Sequence, residues 1–330
     1  MNPTKTAFVT GGTGFLGINL IQQLVSERWE VTALHRPNSD LTHLKSFEVQ
    51  LKVGSITDID SLEKAMPKGV EAVFHVAGNT NLWTMRNATQ TKDNVEGTSN
   101  MVSTALKLKA RRFIHTSSIA AYGFHSETIT EQTPSTAAYS KINYFRTKWL
   151  AEQEVRKGIE QGLDAVILNP SNIIGPYDYN NWSQVFTLIQ NGKLPGVGSG
   201  MSSFCHVREV AKAHIAAFEK GQSGANYIFA GTDATYREMA QIIAQLLGHE
   251  KFPKTLPDFV LQLVGKLSLW RSYLTRKEPD ITPEKVALFT NRCLARSEKA
   301  EKELNYKSVP LELMLEDCYH WMKKEGLLSS

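Results

Sequence analysis

Read only as apolar and polar positions, the first half of the chain alternates between two rhythms. Short, unbroken apolar runs rich in β-branched residues occupy 6–10, 30–34, 49–53, 72–75, 112–116 and 164–169. Between them, 15–26, 58–65, 92–109 and 138–157 carry apolar residues at helical spacing. A strand covered on both faces reads as a continuous apolar run, whereas one with a wet face alternates. Strands separated by helices predict an α/β fold, a doubly wound parallel sheet with helices on both faces. Right-handed crossovers would place every strand's C-terminal end along one edge, where ligands bind.

The rhythm changes after Pro170. Residues 171–204 are rich in Gly, Asn, Ser and Pro, and 208–220 returns to the earlier helical style. Helices are then predicted over 236–247, 258–269, 283–289, 297–304 and 311–324. The pattern suggests a Rossmann-type domain over 1–170, rejoined by 205–225. A smaller, mainly helical C-terminal cap over 171–204 and 226–330 would hold substrate. The helix 258–269 is quite apolar, with Trp270 beside it, so a membrane-surface element and a lid over the pocket both come to mind. Its shortness and the lack of a strong basic face favour the lid.

One stretch interrupts the first strand–helix unit with four glycines, in "AFVTGGTGFLGINLIQQL" (residues 7–24). Glycine weakens strands and helices alike, so the turn must need bare backbone. The spacing Thr10-Gly11-x-x-Gly14-x-x-Gly17 lies between an apolar strand and an amphipathic helix. In that context Gly11 allows the tight turn, Gly14 lets backbone approach a pyrophosphate, and Gly17 lets helix and strand pack closely. Amide groups at the helix start would face the anion, assisted by the helix dipole.

Composition narrows the function classes. The net charge of +4 over 330 residues is spread along the chain, without the clustered basic footprint of a nucleic-acid binder. No apolar stretch reaches the roughly 18 residues a membrane span needs, and residues 1–6 lack the apolar core of a signal peptide. Cys205, Cys293 and Cys318 are far apart and form no CxxC pair, which suggests a reducing compartment. No His, Cys, Asp or Glu cluster has metal-ligand spacing. The expectation is a cytoplasmic enzyme acting on small molecules, with no nucleic-acid or membrane partner.

The glycine turn together with "YFRTKWLAE" (144–152) resembles the extended short-chain dehydrogenase/reductase family, and the resemblance extends over nearly the whole chain. "FHVAGNTN" (74–81), "DNVEGTSNMV" (93–102), "HTSSIAAYG" (115–123), "NPSNIIGP" (169–176) and "FCHVREVAKAHIAAF" (204–218) resemble further segments of that family. The resemblance implies a nicotinamide cofactor held by Thr10, Gly11, Gly14, Phe15, Leu16 and Gly17 at the first turn. Further contacts would come from Ala77 after the fourth strand, from Asn94 ordering a water or strand backbone, and from Pro170, Asn172 and Ile173 beside the carboxamide. It also implies dimerisation through the helices 92–109 and 138–157.

In this fold the end of the second strand reads the adenosine ribose. An acid there selects NAD, and a basic residue accommodates the 2′-phosphate of NADP. Here the strand ends in His35-Arg36, and the Arg36 guanidinium suits a phosphate, although it could instead stack on adenine. NADP is favoured, with NAD possible. Ser55 stands where the family usually has an Asp contacting adenine, so that hydrogen bond is in doubt, while Ile56 could pack on the ring.

Tyr144 and Lys148 are spaced i, i+4 and share a helix face. A free phenol has a pKa near ~10, and a neighbouring ammonium would lower it toward usefulness as an acid/base. Tyr144 would then pass a proton to and from a substrate oxygen. The resemblance gives Lys148 a second task on the nicotinamide ribose and makes Ser118, rather than Ser117, the hydroxyl holding the substrate oxygen. Tyr139 has Asn143 at i+4 and cannot form the pair. His75 and His206 lack an acid at triad spacing and read as core histidines. Trp83, Phe124, Tyr177 and Trp182 are candidates to line an apolar or aromatic substrate's pocket.

Three functions remain open. The first is an NADP-dependent oxidoreductase on a ketone, aldehyde or secondary alcohol, resembling the dihydroflavonol-reductase and 3β-hydroxysteroid-dehydrogenase branch. The second is a nucleotide-sugar epimerase or dehydratase with bound NAD. The third is a non-catalytic NADP-binding regulator. Against the second, Ile119 and Ala120 stand where sugar dehydratases carry an Asp-Glu pair, and Ser202-Ser203 where an Arg-Asp clamp often precedes the Phe204 segment.

Overall fold

The apolar runs pair as parallel neighbours. In the computed structural model, which describes residues 4–194, 196–250 and 252–328, the strands are β1 (Thr6–Thr10), β2 (Glu30–His35), β3 (Val49–Val53), β4 (Ala72–His75), β5 (Arg112–Thr116), β6 (Ala165–Pro170), β7 (Asn172–Ile174), β8 (Met201–His206), β9 (Asn226–Phe229), β10 (Thr232–Thr235) and β11 (Arg292–Cys293). The helices are α1 (Phe15–Ser26), α2 (Ile59–Ala65), α3 (Asn87–Thr91), α4 (Gly97–Lys107), α5 (Asn143–Glu160), α6 (Ser183–Gln190), α7 (Val207–Lys220), α8 (Tyr236–Leu246), α9 (Asp258–Thr275), α10 (Pro283–Thr290), α11 (Glu298–Leu304) and α12 (Leu311–Lys324). Among the described residues, seven strands form one parallel sheet in the order β3-β2-β1-β4-β5-β6-β9. This is a doubly wound Rossmann sheet, with the order reversing between β1 and β4.

Residue parity shows why the runs are unbroken. Ala7 and Val9 of β1 face the core built with α1, α7 and α11, whereas Phe8 faces the core built with α2, α4 and α5. Apart from the edge strand β3, whose Gln50, Lys52 and Val53 are exposed, the strands of this sheet are buried on both sides, so both faces are largely apolar. Residues 226–229, placed with the cap on sequence grounds, pair with β6 as β9, and α11 packs behind them. A four-residue strand leaves little periodic signal.

The cap has its own apolar core, in which α6, α8 and α12 pack together. It also holds a second sheet that the pattern did not reveal, β10-β8-β11 with β7 beside β8. Its central strand, Met201–His206, carries Ser202 and Ser203 into the interior. Their hydroxyls are satisfied there: Ser202 donates to the Cys293 carbonyl, and Ser203 to Asp233. No helix among the described residues is long and apolar enough to cross a membrane.

Arg112 ties the main sheet to α7. Its Nε donates to Asp164 at 2.8 Å, and Nη1 donates to the carbonyls of Phe218 and Gly221 at 2.9 and 3.0 Å. These are the carbonyls a helix C-terminus leaves without intrahelical partners. Replacing Arg112 by Met should therefore lower the unfolding free energy by about 2 kcal/mol in a urea titration, with both the ion pair and the cap lost.

Candidate functional site

The site is built where the C-terminal ends of β1, β4 and β5 meet. At the first turn Gly11 has φ +72, and a Cβ there would lie 2.6 Å from the Ala77 nitrogen. A Cβ on Gly17 would overlap the Gly11 carbonyl. Gly14 donates to that carbonyl at 3.0 Å and begins α1 with no side-chain cap. The first-turn amides of Phe15, Leu16 and Gly17 thus lack an intrahelical acceptor at the positive end of a helix dipole. A cradle closed to side chains but lined with amides fits the pyrophosphate of a dinucleotide.

A hydrogen-bond chain fixes this turn to the rest of the site. Thr98 donates to the Asn94 carbonyl at 2.7 Å, so its oxygen must accept from His75 Nε2, 3.0 Å away. His75 Nδ1 then accepts from Thr10 Oγ1 at 2.8 Å, while Thr10 accepts the Ala77 N–H at 3.3 Å. The chain requires neutral His75 with its proton on Nε2. Burial agrees, pushing the imidazole pKa down to about 3. Asn94 sits in a single π-helical turn, Lys92–Glu96. Its amide grips Asn79 through both backbone groups at 2.7 and 2.9 Å and donates to Thr147 at 3.0 Å.

At the end of β2, His35 is buried within the strand and its Nδ1 meets the Arg36 carbonyl. Arg36 is the first exposed residue beyond it, and its guanidinium has no protein partner among the described residues. Ser55 is occupied locally, its hydroxyl 2.9 Å from that of Thr57. The Ile56 side chain packs against Gly97.

On α5, Tyr144 is half-buried and Lys148 buried. Lys148 Nζ donates to the Thr116 carbonyl at 3.0 Å, and a Cβ on Gly78 would lie 3.2 Å from it. Burial lowers the ammonium pKa to about 8, with Glu152 pulling it back up. The expected depression of the Tyr144 phenol is reversed. Burial raises its pKa above the usual value, and the opposing influence is a hydrogen bond with Ser118. Ser118 caps the turn after β5 by accepting from Ala120 N, and its hydroxyl reaches the Pro170 carbonyl at 3.5 Å. Ser117 is instead buried and donates to Glu152 at 2.5 Å.

The NAD dependent epimerase/dehydratase family is matched by residues 7–231. The chain belongs to this family. It is 26% identical over 328 residues to Sterol demethylase protein B of Methylococcus capsulatus, covering 98% of this chain and 100% of that one. It is also 26% identical to the 4-hydroxy-2-methyl-3-oxo-4-farnesyl-3,4-dihydroquinoline-1-oxide ketoreductase of Stigmatella aurantiaca, with 91% of each chain covered. Among solved structures, that of gox2253 superposes with a TM-score of 0.85 at 31% identity, covering 99% of this chain and 100% of that one.

Several positions in this epimerase/dehydratase-family chain depart from their expected surroundings. Asn172 spends its amide on Ser202 and Ser203, at 2.6 and 3.2 Å, and Ile173 pairs with Cys205 inside the second sheet. His206 does have an acid: Asp317, from α12, lies 3.1 Å from Nε2 and also pairs with Arg208. Of the four aromatic candidates, Phe124 clusters with Tyr144. Trp83 is buried with its indole N–H on Ser272, while Tyr177 and Trp182 pack on the cap core.

Two contributions were missed. Glu152 extends the Tyr144–Lys148 ladder by one more turn and accepts from Ser117, Asn169 and Asn226. The i+8 spacing was visible in the sequence, but its partners were not. Leu82, Ala287 and Leu288 pack, as Phe124 and Tyr144 also do, against the buried cluster of Ala120, Ala137, Ile142 and Phe145, and Ala287 and Leu288 arrive on α10, far along the chain.

Lys148 yields a prediction with a definite sign. Its folded pKa, about 8, lies below the ordinary 10.5, so above pH 8 the unfolded chain binds the extra proton. Stability then rises with pH until both states are neutral. Relative to Lys148→Met, the cofactor-free wild type should gain between about 1 and 2 kcal/mol from pH 7 to pH 9.5 in paired urea titrations.

Proposed function

We propose that this protein is an NADPH-dependent reductase of apolar ketones or aldehydes, oxidising the corresponding secondary alcohols in reverse, with Tyr144 as proton donor and acceptor. The observation that carries the reading is the Tyr144 phenol itself. It is kept protonated by burial, hydrogen-bonded with Ser118 and one turn from the buried Lys148 ammonium, and it shares an apolar cluster with Leu82, Phe124, Ala287 and Leu288.

When bound, the reduced nicotinamide supplies the hydride. Ser118 and Tyr144 orient the carbonyl oxygen, and Tyr144 transfers its proton as negative charge grows there. The Lys148 ammonium and the Ser118 hydroxyl stabilise the phenolate left behind, which regains its proton from solvent. A phenol whose pKa is raised suits the reducing direction, since it remains protonated at neutral pH.

The unpartnered Arg36 supports NADPH over NADH, because a guanidinium fork matches a 2′-phosphate. The names of two relatives, one a sterol protein and one a ketoreductase of a farnesyl-bearing compound, support an apolar substrate. The sugar-epimerase or dehydratase reading is weaker. Ile119 and Ala120 are buried and carry no acid or base, and Ser202 and Ser203 are spent within the second sheet. A regulator without turnover would have no use for an intact Ser118, Tyr144 and Lys148.

Tyr144→Phe should lower turnover of hydrophobic ketones with NADPH by roughly 10²–10⁴-fold while leaving NADPH affinity by calorimetry nearly unchanged. Full activity in that variant would refute the mechanism. Arg36→Glu should shift the NADPH-to-NADH affinity ratio toward NADH by at least roughly tenfold, and an unchanged ratio would refute the cofactor assignment. Calorimetry with NADPH, NADH and nucleotide sugars on the purified protein separates the reductase from the sugar enzyme.

A further inference from the structure

Helix α9 leaves a broad apolar face uncovered. It meets the rest of the protein along one stripe, Leu261, Gly265 and Ser272, with Gly265 against Pro283 and Val286 and Ser272 receiving the Trp83 indole N–H. On the far side Phe259, Leu263, Leu267, Trp270 and Leu274 are 71, 58, 59, 65 and 69% exposed. At about 100° per residue these five fall within about 80° of arc centred on Leu263, directly opposite Ser272. Single exposed apolar residues are ordinary, but five large ones on one face mark an interaction surface.

Charge indicates what covers it. Lys266 and Arg271 flank the arc, and Arg276 and Lys277 follow the last turn. None of the four has an ion-pair partner among the described residues. Of the nearby acids, Asp258 accepts from Ser199 at 2.8 Å and the exposed Glu278 from Asn81 at 2.9 Å, while Asp280 is exposed beyond the end of the helix. The helix also runs to Thr275, six residues past the predicted end at 269, which adds Trp270, Arg271, Tyr273 and Leu274 to the face.

We propose that the outer face of α9 docks on the surface of an anionic phospholipid bilayer. The helix lies in the interface plane, with its leucines and Phe259 at the acyl boundary and Trp270 and Tyr273 at headgroup level. Lys266 and Arg271 extend to lipid phosphates. A second copy of the chain fits less well. Lys266 lies at the middle of the helix, so two-fold antiparallel pairing would bring both ammoniums into one apolar seam with no acid to receive them. The α9–α10 hairpin also brings Ala287 and Leu288 to the apolar cluster on which Tyr144 packs. Docking would therefore bring the Tyr144 side of the protein near a carbonyl compound dissolved in the bilayer. That last step rests on the reductase reading; vesicle binding does not.

The test is co-sedimentation of the full chain at low salt with vesicles of pure phosphatidylcholine or of phosphatidylcholine mixed with phosphatidylglycerol. Wild type should sediment with the mixed vesicles, and far less with the neutral ones. Trp270→Glu combined with Leu267→Glu should lower the partition coefficient by at least roughly tenfold. Lys266→Gln and Arg271→Gln should each lower it roughly fivefold. Retained circular dichroism, and unchanged turnover of a water-soluble ketone with NADPH, would show that these exposed substitutions leave the fold and the site intact. Wild type that ignores mixed vesicles, or variants that bind as wild type does, would overturn the proposal. So would a wild-type dimer in analytical ultracentrifugation that Trp270→Glu dissociates. Absence of turnover in wild type would instead count against the reductase reading and leave vesicle binding to stand on its own.

Discussion

A cation held out of water at the C-terminal edge of the sheet is the constraint around which the site is arranged. Lys148 is buried, donates to one strand-end carbonyl and lies against Gly78. Such a group is tolerated only when fixed dipoles and a counter-charge replace its hydration. The dipole comes from Thr116 and the counter-charge from Glu152, one turn further along the same helix. Glu152 is held in turn by Ser117, Asn169 and Asn226, so three other segments fix the acid that makes the lysine affordable. The loop after β4 must then approach without a side chain, which Gly78 permits, and Asn94 clamps the next residue, Asn79.

The same economy of polar groups links the ammonium to the glycine turn. The chain Ala77–Thr10–His75–Thr98–Asn94 runs from the loop facing Gly11 to the π-helical turn that positions Asn79. It works only with a neutral imidazole. A histidine that looked available for catalysis is therefore committed to structure, and burial keeps it uncharged across the physiological range. By contrast Ser118, Tyr144 and the Arg36 guanidinium are left with capacity to spare. Within this edge of the sheet, the groups that remain free include those a cofactor and a carbonyl oxygen would need, together with the buried His115 ring, whose two nitrogens find no hydrogen-bond partner among the described residues.

How much of this could be read beforehand depended on whether the information was local. Strands β1, β2, β4, β5 and β6 were legible because they are largely buried on both faces and mainly apolar, whereas the edge strand β3 is legible from Val49, Leu51 and Val53 despite exposed Gln50 and Lys52. The Tyr144–Lys148 pair was legible because i, i+4 spacing is set by the helix alone. The second sheet was not, because Ser202 and Ser203 point inward as polar residues, satisfied by Cys293 and Asp233 from distant segments. The direction of the Tyr144 shift was misread for a related reason. The sequence displayed the ammonium but not the burial, and desolvation of the phenol dominates, opposed only by the Ser118 hydrogen bond. His206 likewise found Asp317 on the last helix, a pairing that no spacing rule relates to it.

The cap shows how the same physics shapes a surface. Trp83, Asn81 and Leu82 leave the site loop and fasten it to α9, Glu278 and Thr282 by hydrogen bonds. Those contacts occupy the inner face of the hairpin, and α10 contributes Ala287 and Leu288 to the apolar cluster on which Tyr144 packs. With its inner stripe taken up by α10 and Trp83, α9 leaves Phe259, Leu263, Leu267, Trp270 and Leu274 exposed. A helix apolar on both sides is ordinarily a buried one. The hairpin that carries the uncovered face on α9 thus reaches, through α10, the apolar cluster on which Tyr144 also packs. Under the reductase reading, a substrate soluble in whatever covers the first would be suited to the second.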